Sequence, residues 1–369
     1  MSLFDFTVEQ LCLPISEESP TGTDPRSDIS PTSTYYLLKD VRNNARASER
    51  KALIDEESIS SVAMEWQPIL DQLPTTLCEE TKDLEFTAWY IEALCRKFGF
   101  KGLAFGFDLA KNLIDLFWND LYPTPDDGDL QGRIAPLIGL NGIDGPGALV
   151  APIKSISITD GVEVFSTWQY EQACEIQRLD SDKQQKKISA GAISLEQVEQ
   201  SIKESTDAFY IELHADVEAA LTGFLALSAA MDNAMLGDPQ PTSYVRKALE
   251  SCLHAVNHIA KDILINNQPI EEEIQENIPE DVEQEVNQLP ESALQAQIET
   301  REQALRKLNE IAGFFRKTEP HSPMSYAIEQ VVRWSELSLP ELLQELIVDG
   351  DARNGFFKLS GIKTEESSK

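Results

Sequence analysis

His254 and His258 stand four apart in "LESCLHAVNHI" and share one face of a predicted helix with Glu250. Two histidines one turn apart have the spacing of a zinc-chelating pair. No Glu directly follows His254, as a HExxH site requires, and no third strong ligand is evident, so a partly solvated helix face is the preferred reading. His321 lies in "KTEPHSPMSYAIEQVVRW", between Pro320 and Pro323. Each proline lacks an amide proton and cannot continue a preceding helix, and Ser322-Pro323 has the chemistry of a helix start. His321 is therefore read as a residue in a stiff break. A catalytic histidine needs a nucleophile or orienting partner, and no nucleophile motif is found in the chain.

The other chemistry-bearing residues fare similarly. Asp126, Asp127 and Asp129 in "YPTPDDGD" lack the alternation and the distant Glu of a calcium loop and read as a capped turn. "NGIDGPGALV" has Gly145 and Gly147 without the third glycine or the preceding strand of a dinucleotide fingerprint. The five cysteines are widely spaced with no CxxC, which argues against a disulfide framework or zinc site and fits a reducing compartment. No catalytic, cofactor-binding or metal-binding residue is expected.

The bulk numbers agree. The chain has 369 residues, is 41% hydrophobic and has a formal net charge of −32. It is long enough for two or three domains with real cores. Its charge disfavours nucleic acid and anionic membrane as direct partners, because both are polyanions. The start "MSLFDFTVEQ" lacks signal-peptide character, and no apolar run approaches the ~20 residues that span a bilayer. A cytoplasmic protein is expected.

The elements are predicted to be mainly helical. "PISEESPTGTDPRSDISP" is dense in turn-forming residues, and helical pattern begins near Thr34. Trp66, Ile69, Leu70 and Leu73 form an apolar stripe before Pro74. Leu84, Ala88, Ile91, Cys95 and Phe98 recur at helical spacing, and Gly99 is placed to cap that helix in the left-handed conformation. A second helix carries Leu103, Gly106, Phe107, Ala110, Leu113, Ile114 and Phe117, with Asp108, Lys111, Asn112 and Asp115 opposite. The short connection makes the two an antiparallel helical hairpin, and Gly102 and Gly106 allow close backbone approach. "SISITDGVEVF" has strand alternation on both sides of Asp160-Gly161, which predicts one small β-hairpin at 156–164 with a type I′ turn. Helical pattern returns from Trp168 to Asn266, with a capping box at Ser194 and Gln197 and a break at 237–242.

Four segments follow from this pass: a helical region 1–165, a middle helical domain 166–266, an acidic linker 267–299 and a helical domain 300–369. The linker contains no lysine or arginine, and its like charges repel and extend the chain. In the last segment Thr300/Gln303 and Ser338/Glu341 are capping-box candidates. Met324, Ala327, Ile328, Val331 and Val332 form one helical face, followed by Trp334, Leu342, Leu346 and Phe356. That is more apolar surface than a 70-residue core readily encloses, and oligomerisation is a common remedy. Met324, Ile328, Val331, Trp334, Leu342, Leu346 and Phe356 are the expected self-assembly residues.

"LPISEESPTGTDPRSD" and "KDLEFTAWYIEALCRKFGFKGLAFGFDLAKNLIDLFWNDLYPTPDDGDLQGR" resemble the N-terminal ImpA-type domain of TssA proteins of the type VI secretion system. The resemblance rests on Pro20, Gly22 and Asp24, then on Trp89, Leu94, Gly99, Gly102, Leu103, Trp118, Pro123, Asp127, Gly128 and Arg133. "EPHSPMSY", "VVRW", "LPELLQELI" and "FFKLSGI" resemble the terminal domain of the shorter class of that family. The resemblance implies a non-enzymatic cytoplasmic scaffold that multimerises into a ring through its C-terminal domain. Its implied partners are the baseplate, the inner tube and the sheath, and the shorter class implies the baseplate rather than the growing sheath tip. Two other readings compete: an acidic adaptor that docks a basic protein through the linker, and a metal-dependent hydrolase using His254 and His258.

Overall fold

The computed structural model describes residues 6–54, 58–124, 130–266, 301–318 and 324–336. The chain divides into two compact units, Met1–Glu272 and Glu273–Lys369. In the first, Val8–Leu11 (α1) leads into a long loop, followed by Thr34–Ile54 (α2), a 3-10 segment at Ile59–Trp66, Gln67–Glu79 (α3) and Leu84–Phe117 (α4). Leu130–Asn141 (α5), Val150–Lys154 (α6), Thr167–Gln177 (α7), Ser181–Ser189 (α8) and Leu195–Glu204 (α9) come next. Asp207–Ala234 (α10), Ser243–Ile259 (α11) and Lys261–Asn266 (α12) complete it.

The helical hairpin predicted at 83–118 is the centre of this unit. Gly99 interrupts α4 with φ 57° and ψ −133°, a conformation that glycine reaches without Cβ strain. The two arms then run antiparallel. A Cβ on Gly102 would overlap the Leu94 carbonyl oxygen, and one on Gly106 would lie 2.7 Å from Ile91 Cγ1. The ends close where the Leu84 amide donates to the Tyr122 carbonyl at 2.8 Å. The first arm is not amphipathic: residues 86–95 are all buried, as befits a helix enclosed on every side. The second arm keeps the predicted division, with Asp108 and Asp115 exposed.

One hydrophobic core runs from Leu11 to Ala260 and includes residues of α4, α10 and α11. Phe107 of α4 meets Phe224 of α10 with ring centroids 5.1 Å apart. The boundary drawn at 165/166 thus falls inside a single packed core. Helix starts follow the side-chain rules: Ser194 and Gln197 form the predicted capping box, and Ser166 with Gln169 forms another.

The predicted β-hairpin is corrected. Residues 156–164 form a loop closed by one isolated bridge, Ser157 to Ser166, with the Ile158 amide donating to the Phe165 carbonyl at 2.7 Å. Neither Asp160 nor Gly161 has the positive φ that a type I′ turn needs. Three of the loop's backbone polar groups are satisfied by α9 and its C-cap Ser205 instead of a partner strand. Asp160 N–H donates to Ser205 Oγ at 2.7 Å, Val162 N–H donates to Glu204 Oε2 at 3.0 Å, and Ser201 Oγ donates to the Glu163 carbonyl.

In the second unit, Arg301–Thr318 (α13) and Met324–Glu336 (α14) pack on each other. Arg316 pairs with Glu329 at 2.6 Å and lies over the Tyr326 ring at 5.4 Å. The calls on 267–299, on His321 and on the helices beyond Glu336 lie outside the described residues, as do Asp126, Asp127 and Asp129.

Candidate interaction site

The buried face of α2 reads Tyr35, Leu38, Arg42, Ala45, Glu49 and Ala52, spaced by three and four. Two of the six are charged, yet Glu49 is buried and Arg42 half-buried. Their partners lie on the first arm of α4 and form a seam of ion pairs between the two helices. Arg42 Nη2 donates to Glu92 Oε1 at 2.8 Å, and the Glu92 side chain is fully buried. Arg96 Nε donates to Glu49 Oε1 at 2.7 Å, and Trp66 Nε1 donates to the same oxygen at 2.8 Å. The Arg96 guanidinium also stacks 4.3 Å from the Trp66 ring centroid, a cation–π contact strengthened by exclusion of water.

At the N-terminal end of α4 the lead-in loop is clamped by Arg26. Its guanidinium donates to Asp24 at 2.9 Å, to Asp83 at 2.8 Å and to Glu85 at 2.7 Å. Tyr35 Oη donates to Glu85 at 3.1 Å, and Arg26 lies 5.1 Å from the Tyr35 ring centroid. Asp83 caps α4 by accepting from the Phe86 amide at 2.8 Å. Burial raises the Asp83 carboxyl, and Arg26 and the Phe86 amide pull it back part of the way. Burial lowers the Arg26 guanidinium, but Asp83 and the three carboxylate hydrogen bonds more than reverse this, so it is raised. Gly22 lets the loop lie against the strap before α4: it has φ 73°, and a Cβ there would overlap the Glu80 carbonyl. Lys82 is fully buried and donates to the Leu11 carbonyl at 2.7 Å and to the Leu77 carbonyl. Burial lowers its ammonium pKa.

A third cluster joins the end of α4 to α5. Arg133 stacks 5.4 Å from the Trp118 ring centroid, donates to the Trp118 carbonyl and reaches the Pro123 carbonyl at 3.5 Å. The structure thus brings together residues on which the family resemblance rests. Gly22 meets Glu80 and Thr81 just before α4, Asp24 shares Arg26 with Asp83 and Glu85, Gly102 meets Leu94, and Arg133 meets both Trp118 and Pro123.

Of the residues read from sequence for chemistry, the histidine pair of α11 is described. His254 is exposed, while His258 shares a hydrogen bond of 2.9 Å with Tyr170 Oη. Among the described residues no group of three or more His, Cys, Asp or Glu is placed to hold a metal ion. Burial pushes Cys12 up to about 11 and Cys95 and Cys252 up to about 12, so these thiols stay protonated at neutral pH and are poor nucleophiles. Among the described residues no helix is long and apolar enough to cross a membrane.

Residues 12–142 match the family model described as ImpA, N-terminal, type VI secretion system. A solved structure agrees over a wider span: the N-terminal domain, including the conserved ImpA_N region, of the TssA component of the type VI secretion system from Burkholderia cenocepacia. It is 26% identical with a TM-score of 0.58, and the alignment covers 70% of this chain and 94% of that one. The chain carries a TssA-type N-terminal domain. A search of curated proteins gives no match.

The ion-pair seam of the TssA-type domain went unread in the sequence because its charged residues looked like solvent-facing ones. The signal was present: Tyr35, Arg42 and Glu49 are seven apart, as are Glu85 and Glu92. The expected self-assembly residues are only partly described. Ile328 and Trp334 are half-buried and Val331 is 48% exposed. Nothing is described of the Met324 side chain or of Leu342, Leu346 and Phe356.

Proposed function

We propose that the chain is a non-enzymatic, ring-forming assembly factor of the type VI secretion apparatus. The observation that carries this reading is the match, over nearly the whole of that solved domain, to the N-terminal part of a TssA component. In this reading the TssA-type domain is an arm that engages baseplate, inner tube and sheath proteins in the cytoplasm. Residues 300–369 join copies of the chain.

Two features support the division of labour. Residues up to Glu272 form a compact unit with their own core, so the arm does not need the C-terminal unit to bury its apolar surface. The α13–α14 pair leaves Ile311, Tyr326 and Val331 between 45% and 62% exposed, apolar surface available to a second copy. A ring repeats one head-to-tail contact, so a modest patch suffices when it recurs at every interface.

Deleting the chain from the bacterium that makes it is expected to abolish release of the inner tube protein into the medium, and re-expression is expected to restore it. Undiminished release in the deletion strain would contradict the reading.

A further inference from the structure

The loop at 160–164 spends its backbone polar groups on anchoring and presents apolar side chains to solvent. Besides the three bonds to α9 and its end, Phe165 N–H donates to Thr159 Oγ1 at 2.8 Å. Gly161 presses against α9 so closely that a Cβ there would lie 2.7 Å from Ser201 Oγ and 2.9 Å from Glu204 Oε2. Phe165 turns inward and packs with Ala173 and Val198 in a small core of its own. Val162 and Val164 turn outward, 93% and 55% exposed. Trp168 is 52% exposed two residues past Ser166, which closes the loop's base. A loop held at this many points has little conformational freedom left to lose on binding, and that loss is a main cost of association.

The charge around the tip selects the partner. Asp160 and Glu163 of the loop and Glu204 against it are all exposed, with Lys203 the neighbour of Glu204 in sequence. An acidic rim on a chain of net charge −32 repels nucleic acid and anionic lipid. It also repels the same loop on a second copy, which disfavours a symmetric self-contact. An apolar centre with an acidic rim is complementary to an apolar pocket ringed by lysine or arginine.

We propose that this loop, with Trp168 at its base, is a docking site for a different protein that presents an apolar pocket with a basic rim. The loop belongs to the first unit and the expected self-assembly residues to the second. It does not require the partner to belong to the secretion apparatus.

The test places a photoreactive amino acid at Val162 of the full chain, in the bacterium that makes it, with Leu236 as the comparison position. Leu236 is equally exposed, at 91%. The crosslinked peptide is mapped by mass spectrometry. The expected result is one discrete adduct from position 162, absent at 236, whose partner peptide contains lysine or arginine beside apolar residues. Glu163→Lys, which alters an exposed side chain and keeps the carbonyl that anchors the loop, is expected to lower the yield about tenfold. The proposal is overturned if position 162 gives no adduct, gives the same adducts as 236, crosslinks to another copy of the chain, or is insensitive to Glu163→Lys. A mapped basic-rimmed partner from outside the apparatus would uphold the docking site while counting against the assembly-factor reading.

Discussion

The Arg26 guanidinium lies 2.8 Å from Asp83 Oδ2, across 57 positions of sequence, and the carboxylate it meets is fully buried. This pair ties the lead-in loop to the first turn of the central helical hairpin. Removing the arginine strands a buried charge, which destabilises by about 3–5 kcal/mol. Arg26→Ala is expected to show that loss in urea denaturation at neutral pH. The sign of its pH dependence follows from Asp83. Burial already raises this carboxyl above its ordinary 3.8, and loss of Arg26 raises it further. A carboxyl with a folded-state pKa above the unfolded one takes up its proton first in the folded state. Stability therefore falls as pH rises through that window and returns as pH drops toward 3.8. The Arg26→Ala deficit should shrink in mild acid; a deficit that grows there would show that Asp83 is not the group left unpaired.

Gly102→Ala should destabilise the TssA-type domain by about 1–3 kcal/mol, because its methyl group must displace the Leu94 carbonyl in the facing arm. Gly139→Ala in α5 is the contrasting change. Nothing lies within 4 Å of a Cβ there, and alanine favours the helix by about 0.5–1 kcal/mol. Thermal melts of the two variants should move in opposite directions.

Thiol labelling of the folded chain should distinguish two sets of cysteines. Cys78 and Cys174 are half-buried, whereas Cys12, Cys95 and Cys252 are buried. For the latter three, burial also holds the thiol pKa at about 11 to 12, so the reactive thiolate is scarce at pH 8. Labelling of Cys78 and Cys174 ahead of the other three is expected, with all five reacting at once in denaturant.

Changing His254 and His258 together to Ala should leave assembly intact. The described loss is the Tyr170–His258 hydrogen bond, which contributes about 1 kcal/mol or less. Unchanged metal content and unchanged particle size would accompany it; bound zinc lost in the double variant would revive the hydrolase reading.

The hairpin of α4 was legible because its cues are local. Leu84, Ala88, Ile91 and Cys95 recur at helical spacing, and Gly99 supplies the break. The full burial of that arm was less legible, since Asp83 and Glu92 look like solvent-facing residues until Arg26 and Arg42 arrive from elsewhere in the chain. Tertiary pairing of that kind leaves only a seven-residue spacing as its trace. The loop at 160–164 misled for the opposite reason. Its valines alternate as in a strand, but Ser201, Glu204 and Ser205 satisfy the backbone groups that a partner strand would have taken.

The mass of the purified particle in solution tests the assembly account most directly. One chain is 41.2 kDa, and light scattering of the full chain is expected to give a high multiple of that value. A fragment of residues 1–266, which retains the core of the first unit, is expected to remain small. So is the full chain carrying Val331→Asp, which places a carboxylate on the exposed face of α14. A full chain that stays at 41.2 kDa, or a 1–266 fragment that forms the large particle by itself, would contradict assembly through the C-terminal unit.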